Sequence, residues 1–321
     1  MAQYTDKENV EIAQQEYENH KVGYSLETSG SGKYVGTLSD ANNNRTNNGE
    51  QIFTYTKTST GREAVPPTAS AEERAQVKEI TIMYQGSASP SNLFTNGDEF
   101  WRDWKDNDAP ALYNIIKGQA TGEPGKAPGQ WEASAAYLKE MMEKYPNAKI
   151  NLYGHSLGSM DAQYAMAALE AAQIERIQQA YIYNGPDVYR ILSPEQRKIV
   201  DQIKGRIYNY ADPKDKISMV GRDPDKGSIG SVGMVYYVDS EQEGFVNQHM
   251  TYGYRLDKDG KIKILSNTST VAYNNFLIKM ESFKRIKKSL AADGFTSNEQ
   301  IFLDSEQAKL TASGICYIVT E

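Results

Sequence analysis

The sequence has almost no cysteine, few histidines and no long apolar run. Cys316 is the only cysteine among 321 residues, which excludes an internal disulfide framework and a cysteine-based zinc site. The three histidines, His20, His155 and His249, leave little material for a metal cluster, so we expect no metal or other cofactor. Acidic residues outnumber basic ones by 42 to 35, and the net charge of −7 provides no basic footprint for nucleic acid. No window approaches the roughly 18 apolar residues of a membrane span.

The first 20 residues have neither a basic start nor an apolar core, so they do not match a secretory signal peptide. They predict a polar helix that docks on the rest of the protein through Val10, Ile12 and Tyr17. Residues 21–65 contain alternating and aromatic runs around the loop DANNNRTNNG, which predicts antiparallel strands.

From residue 78 onward, short apolar runs alternate with helical patterns. EITIMY, KINLYG, AYIYNGP and RIYNYAD are predicted strands. One predicted helix ends near Pro146, and SMDAQYAMAALEAAQ is another. The first helix presents one apolar face formed by Trp131, Ala135, Leu138, Met142 and Tyr145. This alternation predicts an α/β fold with a mostly parallel central sheet flanked by helices.

The last third of the chain returns to strands and then to helix. GMVYYV is a predicted strand, and residues 249–265 predict a hairpin that turns at Asp257–Gly260. The sequence of residues 272–290 predicts a basic amphipathic helix. We expect it to dock on the core with a solvated Lys/Arg face, and contact with an acidic membrane surface or a partner is the alternative.

The stretch INLYGHSLGSM contains a G-x-S-x-G pattern between a predicted strand and a predicted helix. This context is typical of a nucleophile elbow, in which the serine stands above the sheet and the glycines leave room for neighbouring backbone. Ser156 is therefore the candidate nucleophile, at a helix N-terminus that favours developing negative charge. His155 lies inside the turn, and we expect it to pack or form hydrogen bonds rather than act as the base.

A serine nucleophile needs a base, and elimination leaves His249. His20 lies in the polar N-terminal helix, outside the predicted sheet. His249 follows Ser156 by 249 − 156 = 93 residues, after the last core strands, which agrees with the chain order serine, acid, histidine.

The acid is expected between these two residues, in the loop RIYNYADPKDKISMVG. Asp212 comes directly off a strand and is suited to capping the turn at Pro213. Asp215 precedes an apolar run that would hold it in a buried loop facing the imidazole. We predict Asp215 as the acid and keep Asp212 as the alternative.

Two main-chain donors are required for the oxyanion. The N–H of Leu157, directly after the nucleophile, is the first. ITIMYQGSAS offers the second in the N–H of Ser87, with Gly86 permitting close approach.

Together these segments resemble the class 3, fungal-type lipases and their bacterial relatives within the α/β-hydrolase fold. The resemblance covers about residues 75–255 and rests on MYQGSAS, RDWKDND, YPNAKINLYGHSLGSMDA, ADPKDKIS and NQHMTYGY, in that order. It implies Ser156, Asp215 and His249 as the triad. Gln85 stands where the family usually has arginine, and Ser159 replaces the usual second glycine after the elbow.

The resemblance also implies a lid or acyl-chain wall between Ser87 and Trp131, with ordinary core as the alternative. Its large apolar residues are Leu93, Phe94, Phe100, Trp101, Trp104, Leu112, Tyr113, Ile115 and Ile116. We expect a lipase-like α/β-hydrolase domain over residues 1–270, with its core at about 75–255. A C-terminal helical extension is expected over residues 271–321.

The predicted activity is cleavage of carboxylic esters of lipids, of the lipase or phospholipase A type, through an acyl-enzyme on Ser156. The alternatives are a soluble esterase or thioesterase, a catalytically silent binding protein, and an antibacterial lipase toxin. The last resembles leaderless toxins exported by the type VII system, and it would bring an immunity or export-chaperone protein as partner. The expected substrate is a lipid ester, and a membrane surface is one place where the protein would meet it. Secretion without a classical leader is expected, with a cytoplasmic location as the alternative.

Overall fold

An eight-stranded sheet organises the part of the protein that the structure describes. The computed structural model describes residues 4–44, 50–86, 115, 125, 127–215, 217–241, 245–265 and 304. The strands are β1 (Ser25–Glu27), β2 (Tyr34–Asn43), β3 (Gln51–Thr58), β4 (Val77–Tyr84), β5 (Lys149–His155), β6 (Ile177–Tyr183), β7 (Ile207–Ala211) and β8 (Met234–Tyr237). They lie side by side in sequence order.

The sheet divides at β4. Strands β1 to β4 pair antiparallel, and β4 to β8 pair parallel. This mixed, mostly parallel sheet with flanking helices confirms the predicted α/β-hydrolase class. The carboxyl ends of β4 to β7 lie along one edge, which is where open parallel sheets place their sites.

The helices follow the predicted pattern with a few differences. They are α1 (Asp6–Gln14), α2 (Ala71–Gln76), α3 (Gly129–Lys144), α4 (Leu157–Ala167), α5 (Ala171–Ile174), α6 (Pro194–Gln202) and α7 (Phe245–His249). A short 3-10 turn, Gln15–Tyr17, extends α1. The predicted apolar face of α3 is buried in full. Among the described residues, no helix combines the length and apolar character needed to cross a bilayer.

Two sequence expectations need correction. The helix predicted over 159–173 is interrupted, because Glu170 and Gln173 form a capping box that starts α5. The hairpin predicted over 249–265 keeps its turn, with the Gly260 N–H donating to the Asp257 carbonyl at 3.1 Å. Its arms make isolated bridges instead of a ladder, because His249 ends a helix and 251–253 is a 3-10 turn.

The two faces of the sheet differ in chemistry. Alternate side chains of a strand point to opposite faces. The aliphatic face is formed by Ile80, Ile82, Ile150, Leu152, Ala180 and Ile182, and it belongs to the same core as α3 and α4. The tyrosine face is formed by Tyr153, Tyr181, Tyr183, Tyr208, Tyr210 and Tyr236. Its rings stack across β5 to β8, with centroids 4.9 Å apart for Tyr181 and Tyr208.

Helix α1 packs on the tyrosine face. Val10 and Ile12 are buried there, as predicted, and the Tyr153 hydroxyl donates to Asn9 Oδ1 at 2.8 Å. A capping box between Thr5 and Glu8 begins the helix. The N-terminal segment is therefore part of the core packing.

Several predicted segments lie outside the described residues. These are the lid or wall stretch apart from residues 115, 125 and 127–130, the helix at 272–290, and the extension at 271–321 apart from Asp304. Ile115 is buried in the core on the aliphatic face.

Candidate active site

A sharp turn at the carboxyl end of β5 presents Ser156. Its φ of 57° and ψ of −124° place it in a backbone region that residues with a Cβ rarely adopt. The Ser156 N–H donates to the Tyr183 carbonyl at 2.9 Å, which ties the turn to the neighbouring strand. The strand–serine–helix context predicted from sequence is present.

The two glycines of the pattern permit very close backbone packing. A Cβ on Gly158 would lie 1.9 Å from the Tyr84 carbonyl oxygen, and one on Gly154 would lie 2.4 Å from the Gly158 oxygen. Helix α4 therefore rests directly on β4 and β5. Ser159, the departure from the family pattern, is accommodated beside Gly185, where a Cβ would lie 2.5 Å from the Ser159 Cβ.

Ser156, His249 and Asp215 form one chain of hydrogen bonds. The Ser156 hydroxyl lies 2.7 Å from His249 Nε2, and His249 Nδ1 lies 2.7 Å from Asp215 Oδ2. With the ring proton on Nδ1, that nitrogen donates to the carboxylate and Nε2 accepts from the serine. The structure brings together these three side chains, which were singled out from the sequence and are 93 residues apart at the extremes.

The carboxylate of Asp215 also accepts hydrogen bonds from two main-chain N–H groups. It accepts the N–H of Ile217 at 3.0 Å and the N–H of Ser218 at 3.2 Å. These bonds fix the side chain towards the imidazole. Asp215, and not Asp212, is the aspartate that contacts His249.

Asp212 has a different set of partners. Its carboxylate accepts the Lys214 N–H at 2.8 Å and the side-chain amide of Gln248. Burial raises the pKa of Asp212 to about 6, and the neighbouring Asp215 charge adds to the shift. Because Gln248 precedes His249, Asp212 fastens the end of α7 to the loop after β7.

The main-chain carbonyl of His249 receives two donors. Asn184 Nδ2 donates to it at 2.9 Å, and His155 Nε2 donates to it at 2.8 Å. Asn184 Oδ1 in turn accepts the Asp212 N–H at 3.0 Å and the Tyr254 hydroxyl at 2.8 Å. Asn184 therefore joins the loop after β7 to His249.

His155 forms hydrogen bonds, as predicted, and lies on the opposite side of the turn from the aliphatic face. Burial, together with the nearby His249, lowers the pKa of His155 to about 3, so the ring is neutral. Its Nδ1 lies 2.7 Å from the Tyr17 hydroxyl. His20, the other histidine, bonds to Gln15 and stacks on Tyr24, away from this cluster.

The predicted oxyanion donors are only partly described. Leu157 opens α4, where main-chain N–H groups have no partner within the helix. Ser87 lies outside the described residues. Gly86 approaches as predicted, since a Cβ there would lie 3.2 Å from the Ser156 Cβ.

Sequence reasoning missed three contributors to this geometry. Asn184 adopts a φ of 46°, and the Asn-Gly pair after a predicted strand was the available signal for such a turn. Gln248 gave no signal beyond its place next to His249. Glu16, buried at the end of the N-terminal helix, accepts the N–H groups of His155 at 3.3 Å and Gly86 at 3.4 Å.

Comparison with known proteins places the chain in a family. The family model described as Mbeg1-like matches residues 126–293, just over half of the chain. The chain belongs to the Mbeg1-like family. Its sheet, its elbow and its family are those of a lipase-like α/β hydrolase. The matched segment contains Ser156, Asp215 and His249.

A crystal structure of an MDLA mutant from Penicillium cyclopium is similar to this Mbeg1-like protein. The identity is 14%, the match covers 82% of this chain and 86% of that chain, and the TM-score is 0.38. No curated protein matches the sequence.

Proposed function

We propose that this Mbeg1-like protein is a serine hydrolase that cleaves carboxylic esters of lipids, of the lipase or phospholipase A type. The observation that carries the proposal is the hydrogen-bonded chain from Ser156 through His249 to Asp215, with 2.7 Å at both contacts. A serine hydroxyl is a poor nucleophile unless a base removes its proton as it attacks. The chain of contacts supplies that base in the right tautomer.

The reaction proceeds in two halves. Ser156 Oγ attacks the ester carbonyl carbon while its proton passes to His249 Nε2, and Asp215 stabilises the imidazolium. The leaving alcohol takes that proton as the carbonyl–oxygen bond breaks, which leaves an acyl group on Ser156. A water molecule then attacks the acyl carbon, again giving its proton to His249, and the proton returns to Ser156 as the carboxylic acid departs.

The developing oxyanion is stabilised by donors at the elbow. The Leu157 N–H lies at the start of α4, where the helix dipole also favours negative charge. The Ser87 N–H is the second donor in this proposal. Neither step requires a metal or a cofactor.

Burial of the site supports a lipid substrate class. Ser156 is 3% exposed, His249 2% and Asp215 1%. In this proposal an ester reaches the nucleophile when the protein opens around it, and an apolar lipid surface favours opening because it covers the apolar groups that are exposed.

The test is covalent labelling followed by ester hydrolysis. A fluorophosphonate probe is expected to label the wild type and Ser159→Ala, whose serine lies on the same helix, but not Ser156→Ala. Hydrolysis of long-chain phospholipid and glyceride esters, dispersed and as vesicles, should then depend on Ser156. Equal labelling of all three proteins, or of none, would refute the proposal, and hydrolysis of short soluble esters alone would replace lipid with a small substrate.

A further inference from the structure

The N-terminal turn Gln15–Tyr17 contacts the site although it lies far outside the family-matched segment 126–293. The Tyr17 hydroxyl lies 2.7 Å from His155 Nδ1, and their rings meet edge to face at 5.8 Å. A Cβ on Gly86 would come within 2.3 Å of the same hydroxyl. Tyr17 therefore lies between the loop after β4 and the nucleophile elbow.

The protonation of His155 follows from its two partners. Nε2 lies 2.8 Å from the His249 carbonyl oxygen, which can only accept, so Nε2 carries the proton. Because the ring is neutral, Nδ1 has a lone pair and accepts from the Tyr17 hydroxyl. The hydroxyl thus selects the tautomer that donates to His249.

Glu16 supports the same arrangement through hydrogen bonds from main-chain N–H groups to its side chain. Its carboxyl oxygen accepts the N–H of His155 and the N–H of Gly86. Burial raises the pKa of Glu16 well above its ordinary value, against the opposing effect of the hydrogen bonds that the carboxyl accepts. The turn Gln15–Tyr17 is therefore hydrogen-bonded both to the end of β5 and to the loop after β4.

We propose that Tyr17 is a positioning residue that acts through His155 to hold the main chain of His249, and hence its imidazole, in line with Ser156. The proposal rests on the hydrolase function proposed above. Tyr17 touches neither Ser156 Oγ nor the imidazole of His249 by hydrogen bond, and it acts by fixing the donor that holds the His249 carbonyl. Asn184 is the second donor to that oxygen, so losing the Tyr17 link misplaces the base without releasing it.

The test measures kcat, KM and the rate of fluorophosphonate labelling of Tyr17→Phe with a soluble ester. We expect kcat and the labelling rate to fall about 5- to 10-fold, the size of one buried hydrogen bond, with KM unchanged. Tyr153→Phe is the matched control, because its hydroxyl bonds to Asn9 of the same N-terminal segment at 2.8 Å and lies on the same strand as His155. We expect Tyr153→Phe to lose stability alone.

A double-mutant cycle shows whether Tyr17 acts through His155. His155→Leu removes both bonds of the ring, so Tyr17→Phe should have no further effect on kcat in that background. His155→Gln retains an amide donor for the His249 carbonyl and should restore most of the rate. If Tyr17→Phe does not fold, the contrast between His155→Leu and His155→Gln carries the test.

The outcomes separate this proposal from the proposed function. A wild type that the probe does not label overturns the hydrolase itself. A labelled wild type whose Tyr17→Phe variant keeps the same kcat, or loses no more than Tyr153→Phe, overturns the positioning role alone. Additive effects in the cycle overturn the route through His155.

Discussion

The two faces of the central sheet contact the turn at Ser156 in different ways. On the aliphatic face, helix α4 lies directly on the strands because Gly154 and Gly158 lack side chains, and the contacts are close and non-directional. On the tyrosine face, hydroxyl and amide groups form directional bonds, among them Tyr17 to His155 and Tyr254 to Asn184. The difference suggests that one face provides the stability of the elbow and the other sets the alignment of the base.

Mutations on the two faces should therefore have different effects. Changes on the aliphatic face should lower the free energy of unfolding, because close-packed backbone cannot yield to added atoms. Changes among the bonded groups should lower kcat with less effect on stability, because a single hydrogen bond contributes little to folding.

The largest expected effect is on the aliphatic face. Gly158→Ala puts a Cβ 1.9 Å from the Tyr84 carbonyl oxygen, so α4 and β4 must separate. We expect a loss of about 3 kcal/mol in the free energy of unfolding, at the upper end for overpacking. Gly205→Ala is the control, since nothing lies within 4 Å of a Cβ there. Urea unfolding measures both, and equal stability of the two variants would contradict the close-packing argument.

The second-largest expected effect distinguishes the carboxyl groups of Asp215 and Asp212. Asp215 accepts from His249 Nδ1, whereas Asp212 accepts from Gln248. Asp215→Asn should therefore lower kcat/KM by on the order of 100-fold or more, since the imidazole loses its orienting charge. Asp212→Asn should cost less than about 10-fold, because it disturbs a support of α7 rather than the base. Ester hydrolysis rates decide this, and the reverse ranking would reassign the acid.

The smallest effect concerns pH and His155. Burial lowers its pKa from 6.5 to about 3, so the folded protein keeps the ring neutral while the unfolded chain takes up a proton below pH 6.5. The stability that depends on a neutral His155 ring is therefore complete above pH 6.5 and is lost as pH falls towards 3. His155→Gln removes it, so the variant should lose about 2 kcal/mol less than the wild type between pH 6.5 and about pH 5.

Urea unfolding at the two pH values is the measurement for this prediction. His20→Gln serves as control, because His20 is only partly buried and bonds to Gln15 at the surface. Equal acid sensitivity of His155→Gln and the wild type would show that the ring is not held neutral.

Much of the architecture could be predicted because it depends on local pattern. The alternation of apolar runs with helical periodicity marked β4 to β8 and α3, and glycine spacing marked the elbow. The hairpin at 249–265 was predicted as two strands because its residues alternate. In the structure, His249 instead ends a helix and residues 251–253 form a 3-10 turn. Local β-propensity yields to tertiary packing at such positions.

The site could be predicted as a set of candidates and not as a geometry. Chain order led to His249, and buried context favoured Asp215 over Asp212. Nothing in the spacing indicated that Tyr17, about 140 residues before the elbow, would bond to His155. Nor did it indicate that the Asn184 side chain would accept hydrogen bonds from both Asp212 and Tyr254. Contacts between distant segments depend on how the sheet brings them together.

The sequence by itself determined which chemical groups the protein has and which elements present them. The hydroxyl of Ser156, the single suitable imidazole and the two neighbouring carboxyls all follow from residue type, order and periodicity. Only the tertiary structure decided which carboxyl meets the ring and how the ring is held. That choice depends on hydrogen bonds of under 3 Å between segments distant in the chain, and such bonds exist only once parallel strands have placed their carboxyl ends along one edge.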